Sequence, residues 1–242
     1  MRAIIFDFNG VIADDETPHV HCFQRALAEA GLSLSVEDYY GAYLGMDERT
    51  CASLLLAARD GAVNEALLER ITARKADLFR LQTAGSKPAL FPGVVEFVKA
   101  AKGHFLLAIA SGGRKAQIQA ALAGTAIERD FDLTVAAEDC AVGKPDPAIY
   151  RLTLERLRMR VPDPVVLQPA DCLVIEDSLA GIRSAQAAGM RVVAVATTYP
   201  PDKLSEADMI LPALAATTPS MLVRDMAQIG HGSLFKADRA SR

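Results

Sequence analysis

Apolar residues run unbroken from Ala3 to Phe6 and stop at Asp7, after which Asn9 and Gly10 open a polar turn. A short continuous apolar run of this kind is the pattern of a buried parallel strand, here one that delivers a carboxylate to the carboxyl edge of a sheet. The rhythm then changes. Val20, Phe23, Leu27 and Ala30 recur at helical spacing and predict a helix over 17–31, stopped by Gly31. Further helical patterns cover 36–43, 48–58 and 64–81, the last two separated by Asp60-Gly61. Nothing between Thr17 and Gln82 alternates like a strand. Roughly 65 residues without a strand, directly after strand one, predict an inserted helical domain. Residues 83–88 (TAGSKP) have linker composition and form the expected return crossing.

From Phe91 onward, strand and helix patterns alternate. Helices are expected over 94–102, 115–123 and 148–158, and another from Gly181 to Ala188. Strands are expected over 105–110, 132–136, 172–175, 192–196 and 209–211, with a proline-rich connection over 161–171. Such alternation predicts right-handed crossovers and a parallel sheet, hence an α/β fold. The polar, basic stretch 230–242 is expected to be a poorly ordered tail.

Composition narrows the partners. Of 242 residues, 51% are hydrophobic, enough for a sizeable core, and a net charge of −4 without a basic block argues against nucleic acid. No apolar stretch approaches the roughly 20 residues that span a bilayer, so no membrane partner is expected. The amino-terminal apolar run is too short for a signal peptide, and the expected location is cytoplasmic. Cys22, Cys51, Cys140 and Cys172 are widely spaced, form no CxxC pair, and read as reduced thiols. The oligomeric state is not encoded in any pattern of the sequence.

Polar groups stand just beyond four predicted strands: Asp7 and Asn9, Ser111, Lys144, and Glu176-Asp177. Parallel neighbours lie about 4.8 Å apart, so these groups can share one crevice. Each has a plainer reading alone. Asn9-Gly10 is a good turn, Ser111 a helix cap, Lys144 a solvated loop lysine, and Glu176-Asp177 a helix start favoured by the dipole. Together they supply acids for a divalent cation, a lysine for a phosphate and a hydroxyl to orient it. An all-oxygen donor set suits Mg²⁺. Gly143-Lys144-Pro145 is not a Walker loop, because proline replaces Ser or Thr and the first glycine is missing.

The order DxNG, a hydroxyl after the second core strand, Gly-Lys-Pro and Glu-Asp resembles the haloacid dehalogenase superfamily, in the helical-cap branch of phosphatases and β-phosphoglucomutase-like enzymes. The resemblance implies a Rossmann-like parallel core from residues 1–15 and 88–229, with a helical cap domain from 16–87. It also implies a Mg²⁺-dependent hydrolase acting on a small phosphorylated metabolite. Asp7 would attack phosphorus to form an aspartyl-phosphate. Mg²⁺ would be held by Asp7, the Asn9 carbonyl and Asp177, with Glu176 acting mostly through water. Lys144 would neutralise the phosphoryl oxygens, while Ser111 and the Gly112 amide would hold the transferring group. His19, Arg49 and Lys75 fall where relatives carry substrate-facing residues, or else are ordinary surface residues of helices.

One position departs from the family. Its phosphatases and mutases typically carry aspartate two residues after the nucleophile, as general acid and base; Asn9 cannot shuttle a proton. General acid–base catalysis contributes typically 10²–10⁴-fold. Three readings stay open: a phosphatase for activated leaving groups, aided by Asp14, Asp15 or His19; a phosphate-binding regulatory protein with little turnover; or other chemistry on the scaffold. The last includes a phosphomutase-like reaction, or phosphonate cleavage with Lys75 as a Schiff base. Dehalogenases dispense with Mg²⁺, so Glu176-Asp177 argues against that chemistry. Deamidation at Asn9-Gly10 would create the missing acid.

Overall fold

The computed structural model describes residues 1–85, 87–160 and 166–229. The expected tail over 230–242, and parts of the linker and of the proline-rich connection, lie outside the described residues. In chain order the elements are β1 (Ala3–Phe6), β2 (Ala13–Asp14), α1 (Glu16–Glu29), α2 (Val36–Asp38), α3 (Glu48–Asp60), α4 (Glu65–Thr83) and β3 (Ala89–Leu90). These are followed by α5 (Val94–Ala101), β4 (Leu106–Ala110), α6 (Lys115–Leu122), β5 (Leu133–Val135), α7 (Ala148–Arg158), β6 (Cys172–Glu176), α8 (Leu179–Ala187), β7 (Arg191–Val195), β8 (Met209–Leu211) and α9 (Pro219–Ile229).

A six-stranded parallel sheet runs in the order β5-β4-β1-β6-β7-β8. The unbroken apolar run of β1 makes it a central strand, because both its faces are covered. Ile4 and Phe6 pack with Val94, Phe97 and Met226 on one face; Ala3 and Ile5 pack with Tyr150, Leu154 and Ile182 on the other. Phe6 pairs with Ile109 on one side and Ile175 on the other. The next residue of each strand is therefore level: Asp7, Ala110 and Glu176 arrive together at the carboxyl edge. The chain reverses its strand order at this point, which is where open α/β sheets bind ligands.

Residues 16–83 contain no strand, and their helices bury Val20, Phe23, Leu27, Leu56, Leu68, Ile71 and Phe79 in a cluster of their own. Asp47 and Asn64 start α3 and α4 by accepting hydrogen bonds from Thr50 N–H and Leu67 N–H, and Gly61 ends α3 at φ +71°. The expected helix over 36–43 is instead the short α2 followed by a π-helical turn, Tyr39–Tyr43. Three elements lie beyond the sequence reading. The antiparallel pair β2–β3 is two residues long on each side, too short to leave a period, and joins the chain where it leaves and re-enters the core. The amphipathic α9 follows the last predicted strand and buries Leu222 and Met226.

Polar contacts and two tight glycines hold this helical insertion over the core. Arg114 Nη2 donates to Thr72 O at 3.3 Å, and the Tyr199 hydroxyl donates to Tyr40 O. A Cβ at Gly45 would lie 2.2 Å from Ser178 Oγ, and one at Gly143 1.6 Å from Asp47 Oδ2. The two layers approach at distances only glycine allows.

Candidate active site

Asp7 is the first residue past β1, with its N–H bonded to Ile175 O at 2.9 Å. Lys144, only 2% exposed, donates to Asp7 Oδ1 at 2.8 Å and to Glu176 Oε1 at 2.6 Å. Tyr150 adds a hydroxyl donor to the same Glu176 oxygen at 2.7 Å, and its ring lies 5.1 Å from the Lys144 ammonium. Glu176 Oε2 accepts from Ser178 Oγ at 3.0 Å and from the N–H groups of Asp177 and Ser178. Glu176 is thus committed to protein donors, and it acts on the crevice by holding Lys144 against Asp7. The Asp177 carboxylate accepts from the Thr198 hydroxyl and borders the cavity. Gly10, at φ +74°, passes so close that a Cβ there would lie 1.9 Å from Asp177 Oδ2.

Asp7, Glu176 and Asp177 each bring a carboxylate oxygen within 4.8 Å of the others, all buried. Burial pushes the Asp7 carboxyl up to about 7, although Lys144 pulls it down; the charge of Glu176 adds to the rise. Burial also raises Asp177 well above the usual carboxylate range, followed by repulsion from Glu176 and Asp7. Burial opposes the charge on Lys144, yet Asp7 and Glu176 prevail and raise it. Lys144 meets Asp7 and Glu176, and the deficit of positive charge around the three acids keeps the Asp7 and Asp177 carboxyls hard to ionise. The all-oxygen donor set and that deficit both fit a hard divalent cation.

Ser111 is fully buried; its Oγ accepts from Gly113 N–H at 3.0 Å and stands 3.3 Å from Asn9 Oδ1. Gly112 lines the same cavity. Asn9 Nδ2 donates to Asp15 Oδ1 at 2.8 Å and lies 3.3 Å from His19 Nε2. Asp14 is exposed, so of Asp14, Asp15 and His19 it is Asp15 and His19 that reach Asn9. The Gly10 nitrogen, which would attack the Asn9 side chain during deamidation, is instead bonded to Ala13 O at 3.0 Å.

On the helical side, His19 and Lys75 face the cavity, and Lys75 Nζ meets His19 Nδ1 at 2.5 Å and Glu48 Oε1. Arg49 does not face it. Its guanidinium pairs with Glu65 and lines a separate groove, because successive residues at the start of α3 point about 100° apart. Glu48, its neighbour, is the residue turned inward. Sequence reasoning passed over Glu16, Glu48, Tyr150, Ser178 and Thr198. Glu16 and Glu48 resemble ordinary first-turn acids. Thr197-Thr198, directly beyond β7, carried the same strand-end signal as the other motifs.

This strand-end crevice under a helical insertion matches a known class. A model of haloacid dehalogenase-like hydrolases matches residues 1–189, and the chain belongs to that family. The chain is 33% identical to Protein CbbY of Rhodobacter capsulatus over 234 residues, covering 89% of this chain and 95% of that protein. It is 32% identical to a phosphorylated carbohydrates phosphatase of Thermotoga maritima, covering 78% of this chain and 82% of that one. The fold is also similar to a CbbY variant from Rhodobacter sphaeroides in complex with xylulose-(1,5)bisphosphate, with a TM-score of 0.74 and 27% identity over 89% of this chain and 95% of that one. Among the described residues, no helix is long and apolar enough to cross a membrane.

Proposed function

We propose that the protein is a Mg²⁺-dependent phosphatase of small phosphorylated sugars, with Asp7 as nucleophile. The observation that carries this reading is the buried contact of Lys144 with Asp7 and Glu176 at the edge of the sheet. The family and the named activity of the Thermotoga relative support it. An Asp7 oxygen attacks phosphorus, the bond to the sugar oxygen breaks, and its electron pair leaves with that oxygen. Water then cleaves the aspartyl-phosphate and regenerates Asp7. Lys144 offsets charge on Asp7 and the phosphoryl oxygens, and Ser111 and Gly112 orient the group, so catalysis rests on positioning and electrostatics. Asp7, Asp177 and the Asn9 carbonyl would hold Mg²⁺, which supplies charge neutralisation for the phosphoryl group.

The cavity between core and insertion measures about 60 Å³, whereas ligand sites usually run to about 300–1,000 Å³. The helical insertion, residues 16–87, therefore serves as a cap that opens to admit substrate and closes to exclude water. Asn9 sets the rate. It donates to Asp15 rather than offering a titratable proton, which also supports a second reading of slow turnover on ordinary esters or of binding with little turnover. Lys75 is engaged by Glu48 and His19, which weighs against a free amine for Schiff-base chemistry.

Phosphate release from a sugar-phosphate panel with Mg²⁺ tests the proposal, comparing wild type with Asp7→Asn. Wild type is expected to release phosphate, with loss on chelation by EDTA, and Asp7→Asn to release none above background. Equal release by the two proteins removes Asp7 as nucleophile.

A further inference from the structure

The two walls of the crevice differ in what they offer an anion. On the core wall, Lys144 and the backbone around Ser111 and Gly112 await a phosphoryl group. On the helical wall, the charged residues that line the cavity are Glu16, Glu48 and Lys75, beside His19. Lys75 is 1% exposed, and its ammonium is held by Glu48 Oε1 and by His19 Nδ1. Burial would push the Glu48 carboxyl up, but Lys75, then His19 and Arg114, hold it below the usual range. Glu16 accepts a hydrogen bond from the Tyr39 hydroxyl at 2.5 Å and supplies no cation. Of two nearby guanidiniums, Arg49 pairs with Glu65, and Arg114 donates to Thr72 O and stands 3.9 Å from the far oxygen of Glu48, adding to the cations that already match it.

We propose that this wall selects phosphate monoesters whose far end is uncharged or cationic, and rejects a second phosphate, because Lys75, its only lysine among the described residues, is already matched by Glu48. The inference rests on reading the core wall as the phosphoryl site. A second phosphate entering here must either displace Glu48 from Lys75 or stand beside two carboxylates in a water-poor cavity. Both are unfavourable, since like charges brought together in a low dielectric repel strongly. A polyol or amine meets no such conflict. Its hydroxyls or ammonium find carboxylate oxygens, and its carbons find Phe23, Leu44 and Met46, which line the same wall. Glu48 is on this account the residue that sets specificity.

Calorimetric titration of the full chain carrying Asp7→Asn, with Mg²⁺ present, measures binding without turnover. Fructose 1-phosphate and fructose 1,6-bisphosphate serve as a matched pair. The monophosphate is expected to bind at least tenfold more tightly. Adding Glu48→Gln frees Lys75 and should improve the bisphosphate relative to the monophosphate by at least tenfold. Glu16→Gln, which keeps the Tyr39 contact, should shift the ratio the same way by less. Equal or tighter bisphosphate binding in the parent, an unchanged ratio in Glu48→Gln, or binding of neither ligand overturns the inference. Failure of the nucleophile assignment would appear separately, as phosphate release that survives Asp7→Asn.

Discussion

Lys144 and Lys75 are both almost wholly buried and both meet carboxylates, but they serve opposite ends of the crevice. Lys144 stands among acids that sheet geometry forces together, and one lysine is too little charge for three carboxylates. The core wall therefore holds an electrostatic deficit that a cation and a phosphoryl group would complete. Lys75 pairs with Glu48 across two helices of the insertion and leaves little to complete. On the proposed reading one site recruits charge and the other refuses a second anion. Burial of a lysine alone distinguishes neither; the number of acids fixed around it does.

Replacing each lysine by methionine tests that contrast most strongly. Lys144→Met leaves Asp7 and Glu176 buried without their cation and should lower unfolding stability by about 3–5 kcal/mol. Lys75→Met takes one partner from Glu48, which is 17% exposed and keeps Arg114 at 3.9 Å, and should cost about 1–3 kcal/mol. Denaturant titration measures both, and equal losses would erase the distinction.

Asn9→Asp tests the proposed lack of a general acid on the core wall. The new carboxyl would face Asp15 across the present 2.8 Å contact, so the pair would share a proton and one member would titrate higher. A retained proton is what a leaving oxygen needs. Turnover on sugar phosphates should rise by about 100-fold, at the low end of general acid–base contributions. An unchanged rate would show that leaving-group protonation is not limiting.

The smallest effect belongs to a pair outside the crevice. Asp139 accepts from Arg156 Nη2 at 2.7 Å, and this hydrogen bond holds its carboxyl below the usual range despite partial burial. A depressed folded value means the contribution is present above the unfolded carboxylate value and is lost as pH falls through the folded one. Arg156→Gln should cost less than about 1 kcal/mol at neutral pH, with the difference vanishing in acid. A larger loss, measured by thermal unfolding across pH, would place a partly exposed pair beside the buried ones.

The core side of the site was legible because each motif closes a strand whose apolar run could be read locally. Once β1, β4 and β6 are parallel neighbours, Asp7, Ser111 and Glu176-Asp177 have nowhere else to meet. The helical side was not legible in the same way. His19 and Lys75 do face the cavity, while Arg49 turns outward and Glu48 inward, a difference of one residue on a helix whose rotation is set by packing. Tyr150 was read only as part of a helix, and its hydroxyl matters because that helix lies under Glu176. The Asn9–Asp15 contact joins residues six apart through a turn whose path no period records.

The sequence by itself determined the α/β alternation, the strandless insertion and the four strand-end motifs. These follow from local periodicity and from residue chemistry, which the chain carries without folding. Only the tertiary structure decided that Glu176 is spent on Lys144 and Tyr150, that Glu48 rather than Arg49 faces the crevice, and that Lys75 is already matched. Those facts depend on helix rotation and on the approach of two separately packed layers, and both are set by the sum of distant contacts rather than by any stretch of sequence.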